Sequence, residues 1–423
     1  MFQKSRLPGK SFFGVPAWFY RRTLTVITLG VVILFLFPLY SCDDDTGIWV
    51  GTWSTAPQLV EPHNMPPEPG LAHNSVRQVV RLSAGGDSLR VRFSNEFSTS
   101  HVEMKKVQIA VSAGGRAVDP STVRDLKFNN RPGVTMAPGS VISSDPMAFK
   151  AEPLTELAIT TFFGAASPDV TGHPGSRTTS YFLPGDRISS VDFEGGSMAD
   201  RWYVISGIDV KVPATAGSVV IIGNSITDGR GSGTNRQNRW TDILAERLIN
   251  SPSTRQTAVL NQGIGGNCVL RECLGPSALE RFDRDVLGQH GVRWLIILHG
   301  VNDIGQTRTK EEANQVTEEL IAAYERMIDD AHASEILVYG ATILPFGNSF
   351  YYTEPREAAR QTLNEWIRSS ERFDAVIDFD ELMRDPGDPT VLLSEFHTGD
   401  FLHPNEEGYK KMGDAVDLKL FVL

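Results

Sequence analysis

Between residues 47 and 212 apolar side chains recur at every second position, in short runs broken by Gly, Pro, Asp and Ser. A period of two is that of a strand with one face buried. Leu89, Val91 and Phe93 alternate with Arg90, Arg92 and Ser94 after the turn residues Ala84, Gly85, Gly86 and Asp87, a pattern that predicts a hairpin. Further strands are predicted over 107–111, 157–163, 188–193 and 202–212. Many short strands without a convincing helix predict an all-β sandwich, jelly-roll-like, over 47–212.

The texture changes after the linker Pro213 to Gly217. Continuous apolar runs at 219–222, 258–260, 294–298, 336–339 and 375–377 suit parallel strands covered on both faces. Helical stretches at 240–249, 310–332 and 354–372 lie between them. Alternating strands and helices predict a doubly wound, parallel-sheet α/β domain over 217–423. In such a sheet ligands bind beyond the carboxyl ends of the strands, so the residues after each apolar run are candidates for chemistry.

A chain of 423 residues suits two domains rather than one. With 41% hydrophobic and 22% charged residues it has a globular composition. The formal net charge of -11 opposes binding to nucleic acid and to anionic lipid headgroups, which leaves neutral substrates as the expected partners.

The first 42 residues form a targeting segment. Lys4, Arg6, Lys10, Arg21 and Arg22 precede an apolar run, 23–40, with no acidic residue among them. Leu39, Tyr40, Ser41 and Cys42 resemble a bacterial lipobox, which makes Cys42 the candidate lipid attachment site, although Tyr40 is bulkier than usual. The alternative is an uncleaved signal anchor, since the run is just long enough to span a bilayer. Either device predicts export, with the protein held at the membrane facing the periplasm or cell surface and touching the membrane only through this segment; secretion is the other outcome. Disulfides are permitted there.

Four blocks follow the apolar runs. Gly223-Asn224-Ser225 puts a hydroxyl at a strand-to-helix turn, and Gly265-Gly266-Asn267 brings backbone N–H groups within reach of a ligand. His299-Gly300-Val301-Asn302 adds an amide, and Asp400-Phe401-Leu402-His403 sets a carboxylate three residues before an imidazole. Among nine histidines, His403 is the one that combines such an acid with such a block. A serine hydroxyl needs an imidazole to take its proton, and the imidazole needs a carboxylate to fix its tautomer.

Ser225, Gly266, Asn302 and His403, in this order, resemble the SGNH (GDSL-like) hydrolase family. The resemblance covers most of 217–423 and implies Ser225 as nucleophile, His403 as general base and acid, and Asp400 as the carboxylate that orients it. It also implies Ser225 N–H, Gly266 N–H and the Asn302 amide as oxyanion donors. Asn224 departs from the family, which usually has Asp there, and a changed local hydrogen bond is expected. The segments Trp49 to Pro57 and Arg201 to Gly207 resemble the leading domain of a two-domain group that includes acetyl xylan esterases, which implies carbohydrate esters; the other reading is a packing domain that shapes one wall of the cleft.

The expected function is therefore a serine esterase that removes a short acyl group, acetyl foremost, from an acylated small molecule or polysaccharide. A lysophospholipase or short-chain lipase is one rival, and a non-catalytic carbohydrate-binding lipoprotein is another. No cofactor is expected, and no metal, because His-Glu-x-x-His and Cys/His ligand spacings are lacking. Cys268 and Cys273 can close a small loop that steadies Gly266, or remain packed thiols. His299 is expected as a buried, hydrogen-bonded side chain, and Asp228 and Asp303 as structural partners.

Overall fold

The computed structural model describes residues 47–422, which belong to one compact unit. The targeting segment and Cys42 lie outside the described residues. Among those described, no helix is long and apolar enough to cross a membrane.

The strands up to Val212 build two larger antiparallel sheets. In the first, Ile48–Ser54 pairs with Ile205–Val212, which pairs with Gly86–Ser94, and that with Met147–Ala151. In the second, Ser180–Pro184, Asn74–Arg81, Glu156–Phe163 and Val102–Gly114 run side by side. Val76, Val80, Ile109 and Ile159 from the second sheet share one hydrophobic cluster with Leu89, Val91, Phe93 and Ile208 from the first. The alternating pattern follows from this shared core.

Three sequence expectations fail here for identifiable reasons. The strands flanking Ala84 to Asp87 do not form a hairpin, because Asn74–Arg81 and Gly86–Ser94 belong to different sheets. The corner's amides go elsewhere: Leu82 N–H donates to Thr155 and Ser83 N–H to Thr52, at 3.0 and 2.9 Å. The stretch 202–212 is interrupted at Val204, whose φ of 66° is rare for a β-branched residue. Val204 donates to Thr171 while its carbonyl accepts from Ser94, so the chain changes sheet at that residue. The predicted strand 188–193 is loop, with only an isolated bridge at Asp192. The Arg77 guanidinium takes the carbonyls of Ser190, Val191 and Arg116, which does the work of a strand neighbour.

From Gly217 the sheet is parallel, with spatial order Thr257–Gly263, Gly217–Gly223, Val292–Leu298, Leu337–Ala341, Ala375–Ile377. Helices Trp240–Asn250, Lys310–Ala333 and Glu354–Ser369 connect them, close to their expected bounds. Short helices Val301–Gly305 and Glu406–Ala415 were not apparent from the sequence pattern. After Gly217–Gly223 the chain moves to one side, then returns to the other for Val292–Leu298. That reversal opens a crevice at the carboxyl end of the first parallel strand, where such folds bind ligands.

The two halves are joined through buried polar contacts. Gln262 Nε2 donates to Ser54 Oγ at 2.7 Å, Val259 N–H donates to Ser83 Oγ at 2.9 Å, and Gly51 N–H donates to the His290 carbonyl at 2.9 Å.

Candidate functional site

Ser225 is the first residue after the Gly217–Gly223 strand turns into a single helical turn, Ser225–Asp228. Asn224 caps that turn, its Oδ1 accepting from Ile226 N–H at 3.0 Å. An amide oxygen makes this bond as an Asp oxygen would.

Ser225 Oγ lies 2.9 Å from His403 Nε2, and His403 Nδ1 lies 2.6 Å from Asp400 Oδ2. The other Asp400 oxygen accepts the backbone N–H groups of Leu402 and His403 at 3.0 and 2.9 Å. Burial alone would raise the Asp400 carboxyl, but the His403 amide, the His403 ring and the Leu402 amide outweigh it and hold its pKa far below the carboxylate range. An ionised Asp400 only accepts, so the His403 Nδ1 carries the proton and Nε2 accepts from Ser225. Burial, as the largest cause, lowers the His403 pKa; Asp400 opposes it, while the charges of Arg230 and Arg177 add to the lowering. The imidazole is therefore held neutral near pH 7.

Gly266 and Asn302 line the same cavity of about 350 Å³ as Ser225 and His403. Gly266 has φ +70°, in the left-handed region that favours glycine, and a Cβ there would fall 2.7 Å from Leu274 Cδ1, so that side chain would have to move aside. Asn302 Nδ2 donates to the Asn267 carbonyl at 2.7 Å, and its Oδ1 accepts from the Tyr351 hydroxyl at 2.9 Å. A carbonyl cannot donate, so the amide orientation is fixed and its second N–H remains for a ligand.

Asn267, buried beside Gly266, was not singled out in the sequence, and only its adjacency to the Gly pair signals it. Its side chain donates to the carbonyls of Leu274 and Pro276, and accepts from Arg281. The same oxygen receives His299 Nε2 at 3.2 Å, while His299 Nδ1 accepts from Gly300 N–H at 3.0 Å. Burial, with the charge of Arg281, keeps His299 neutral. His299 is thus a satisfied buried side chain.

Cys268 and Cys273 are bonded to each other, Cα to Cα 5.7 Å. Asp303 receives Val269 and Leu270 N–H groups inside that loop; burial raises its pKa against these bonds. Asp228 pairs with His173 Nε2 at 2.9 Å, and both are buried. Gly175, in the loop after His173, packs so near Asp228 that a Cβ would lie 1.9 Å from its Oδ2. Asp228 and Asp303 are structural partners. Among the described residues no group of three or more His, Cys, Asp or Glu side chains is arranged to hold a metal ion.

The cavity's remaining wall comes from the strand-rich half, through Gln58, Glu61, Asn64, Arg177 and Arg201. No local pattern in the sequence marks them, because loops far apart in the chain supply them.

Residues 221–411 match the model of the GDSL-like Lipase/Acylhydrolase family. Among solved structures, a putative lipolytic protein of the G-D-S-L family from Desulfitobacterium hafniense is 25% identical over 47% of this chain and 96% of its own, with a TM-score of 0.35. A GDSL-like lipase from Bacteroides thetaiotaomicron is 21% identical over 47% and 84%, TM-score 0.34. The acetyl xylan esterase AlAXEase is 21% identical over 47% and 96%, TM-score 0.36. No curated protein matches the chain.

Proposed function

We propose that the GDSL-like acylhydrolase domain of this chain is a serine esterase that removes short acyl groups, acetyl foremost, from carbohydrate through an acyl-enzyme intermediate. The observation that carries this reading is the unbroken line of hydrogen bonds from Ser225 Oγ through His403 to Asp400, at 2.9 and 2.6 Å. As Ser225 Oγ attacks the ester carbonyl carbon, its proton passes to His403 Nε2, and Asp400 stabilises the imidazolium. The oxyanion takes the N–H groups of Ser225 and Gly266 and the free N–H of Asn302, each worth roughly 3 to 4 kcal/mol in the transition state. His403 then gives the proton to the departing alkoxide, releasing the alcohol and leaving acyl-Ser225. Water loses a proton to Nε2 and attacks the acyl carbon; the carboxylic acid departs and the proton returns to Ser225.

The polar wall of Gln58, Glu61, Asn64, Arg177 and Arg201 suits a hydroxyl-rich alcohol moiety better than a lipid. Phe350, 72% exposed, and Leu274, 49% exposed, stand at the same cavity and favour a second reading, a lysophospholipase or short-chain lipase. Initial rates on acetylated xylan, on a 4-nitrophenyl ester series and on a lysophospholipid decide between them: the first reading requires rates that fall beyond butanoyl, and a preference for long chains overturns it.

Under the same reading, 47–212 is a jelly-roll-like sandwich that builds one wall of the cleft and 217–423 is the hydrolase domain. Residues 1–42 carry the protein out of the cytoplasm, as a lipoprotein at Cys42 or as a signal anchor. A disulfide between Cys268 and Cys273 accords with an oxidising compartment. Labelling with radioactive palmitate in intact cells, lost in Cys42→Ala, tests the lipoprotein form.

A further inference from the structure

The cavity that holds Ser225 also holds three guanidinium groups that take no part in the bond-making and bond-breaking steps. Arg177, Arg201 and Arg230 line it with Ser225 and His403. Among the described residues none of the three faces a carboxylate partner; only Arg201 Nε is engaged, by Asn64 Oδ1 at 2.7 Å. Arg177 Nε is buried with no hydrogen-bond acceptor. The cavity's own carboxylates are committed elsewhere, Glu61 to Gln58 and Asn64 at 2.8 and 2.9 Å, and Asp228 to His173.

Two fully buried arginines, Arg281 and Arg360, are matched by carboxylates, whereas Arg177 shares its orphaned Nε only with Arg92 among the arginines described. Arg281 pairs with Asp285 at 2.8 Å, and Arg360 with Glu357 and Asp380, both at 2.6 Å. A buried N–H without an acceptor is costly, so Arg177 is set for an acceptor that the protein itself does not supply. Its backbone is also strained, with φ +50°. The loop is held there from outside: Asn235 N–H donates to the Arg177 carbonyl at 2.9 Å, Asn235 Oδ1 accepts from Thr179 N–H at 2.8 Å, and Arg239 holds the Ser176 carbonyl. Strain that the surroundings maintain is typical of ligand clamps.

The position of the cluster indicates which part of the substrate it meets. Arg177 and Arg230 act electrostatically on His403. Under the esterase reading His403 protonates the leaving alkoxide, so groups beside it face the alcohol part, while the acyl oxygen faces Gly266 and Asn302. We propose that Arg177, Arg201 and Arg230 form a subsite for an anionic group on the alcohol part of the ester, so that the substrate is an acylated acidic sugar. Planar guanidinium forks match carboxylate and phosphate oxygens in pairs, and three of them in a protein of net charge -11 make a local attractor for anions.

This inference rests on the esterase reading, and the test separates the two. Acetate release is followed from a partially O-acetylated methyl glucuronide, from the same preparation after methyl esterification of its carboxylate, and from the corresponding acetylated methyl glucoside 6-phosphate. The charged compounds should exceed the methyl ester in kcat/KM by about tenfold or more, a ratio typical of one charged hydrogen bond. The better of the two identifies the anion. The ratio should fall toward one in Arg177→Gln/Arg201→Gln and with rising salt; because it is taken within one preparation, a reduced folded fraction does not alter it. A ratio of one or less in the parent protein, or an undiminished ratio in the double variant, overturns the subsite. Failure to cleave even neutral 4-nitrophenyl acetate would sink the esterase reading instead. In that event, calorimetric binding of methyl glucuronide but not methyl glucoside still upholds the anion subsite, and equal binding rejects it.

Discussion

The Asn302 amide donates to the carbonyl of Asn267, the residue immediately after Gly266, at 2.7 Å. The two proposed oxyanion donors, Gly266 N–H and the Asn302 amide, are thereby held in one frame, and the Tyr351 hydroxyl closes it from the far side at 2.9 Å. Asn302→Ala should lower kcat by about 10²- to 10³-fold with little change in KM, since the lost donor acts in the transition state. Tyr351→Phe keeps the donor but frees its orientation, and a decrease of about tenfold is expected. Steady-state kinetics on 4-nitrophenyl acetate check both; a rise in KM at constant kcat would assign these residues to substrate binding instead.

The His403 environment sets the pH dependence. Burial first, then Arg230 and Arg177, lower its pKa below 6.5. Under the proposed mechanism the neutral ring is the general base, so kcat/KM should rise with pH through a midpoint below 6.5 and level off above it. For stability the sign is the same: between the folded pKa and 6.5 the unfolded chain binds the extra proton, so stability falls as pH drops through that window. Asp400, lowered from 3.8, adds stability that is present above 3.8 and is lost as pH falls further. The fall in Tm between pH 7 and pH 5 should be smaller in His403→Gln than in the parent protein. An equal pH dependence of Tm in the two proteins would contradict the assignment.

His173 joins the strand-rich half to the turn that carries Ser225. Its Nε2 meets Asp228 at 2.9 Å and its Nδ1 meets the Ala56 carbonyl at 2.9 Å. His173→Ala leaves the Asp228 carboxylate buried without its partner, a loss of about 3 to 5 kcal/mol. Denaturant midpoints measure it; a change under about 1 kcal/mol would mean that Asp228 finds water or another donor.

Cys268→Ser/Cys273→Ser removes a short loop closure worth about 2 kcal/mol in the chain-entropy view. Leu274, which follows this loop, donates to the Gly266 carbonyl at 3.5 Å. The double variant should therefore lose activity along with thermal stability, whereas a stable but fully active variant would detach the loop from the oxyanion site.

The α/β half was readable because parallel strands buried on both faces appear as unbroken apolar runs, such as Val219 to Ile222, and the chemistry follows directly after them. Ser225, Gly266, Asn302 and His403 each stand in a local pattern. The strand-rich half was readable only as strands. Alternation shows which face is buried but not which neighbour is bonded, so the sheet change at Leu82 to Gly85 and the break at Val204 were hidden. Arg77 substituting for a strand beside 188–193, and Arg177 reaching the Ser225 cavity, depend on contacts between distant segments that no local period encodes.

The central claim is that Ser225 is the activated nucleophile. Incubating the folded protein with a fluorophosphonate and mapping the adduct by peptide mass spectrometry tests it directly. The account predicts one adduct on Ser225, formed quickly at pH 7.5 and lost in His403→Ala. An unlabelled Ser225 in folded protein, or labelling that is indifferent to His403, would contradict it.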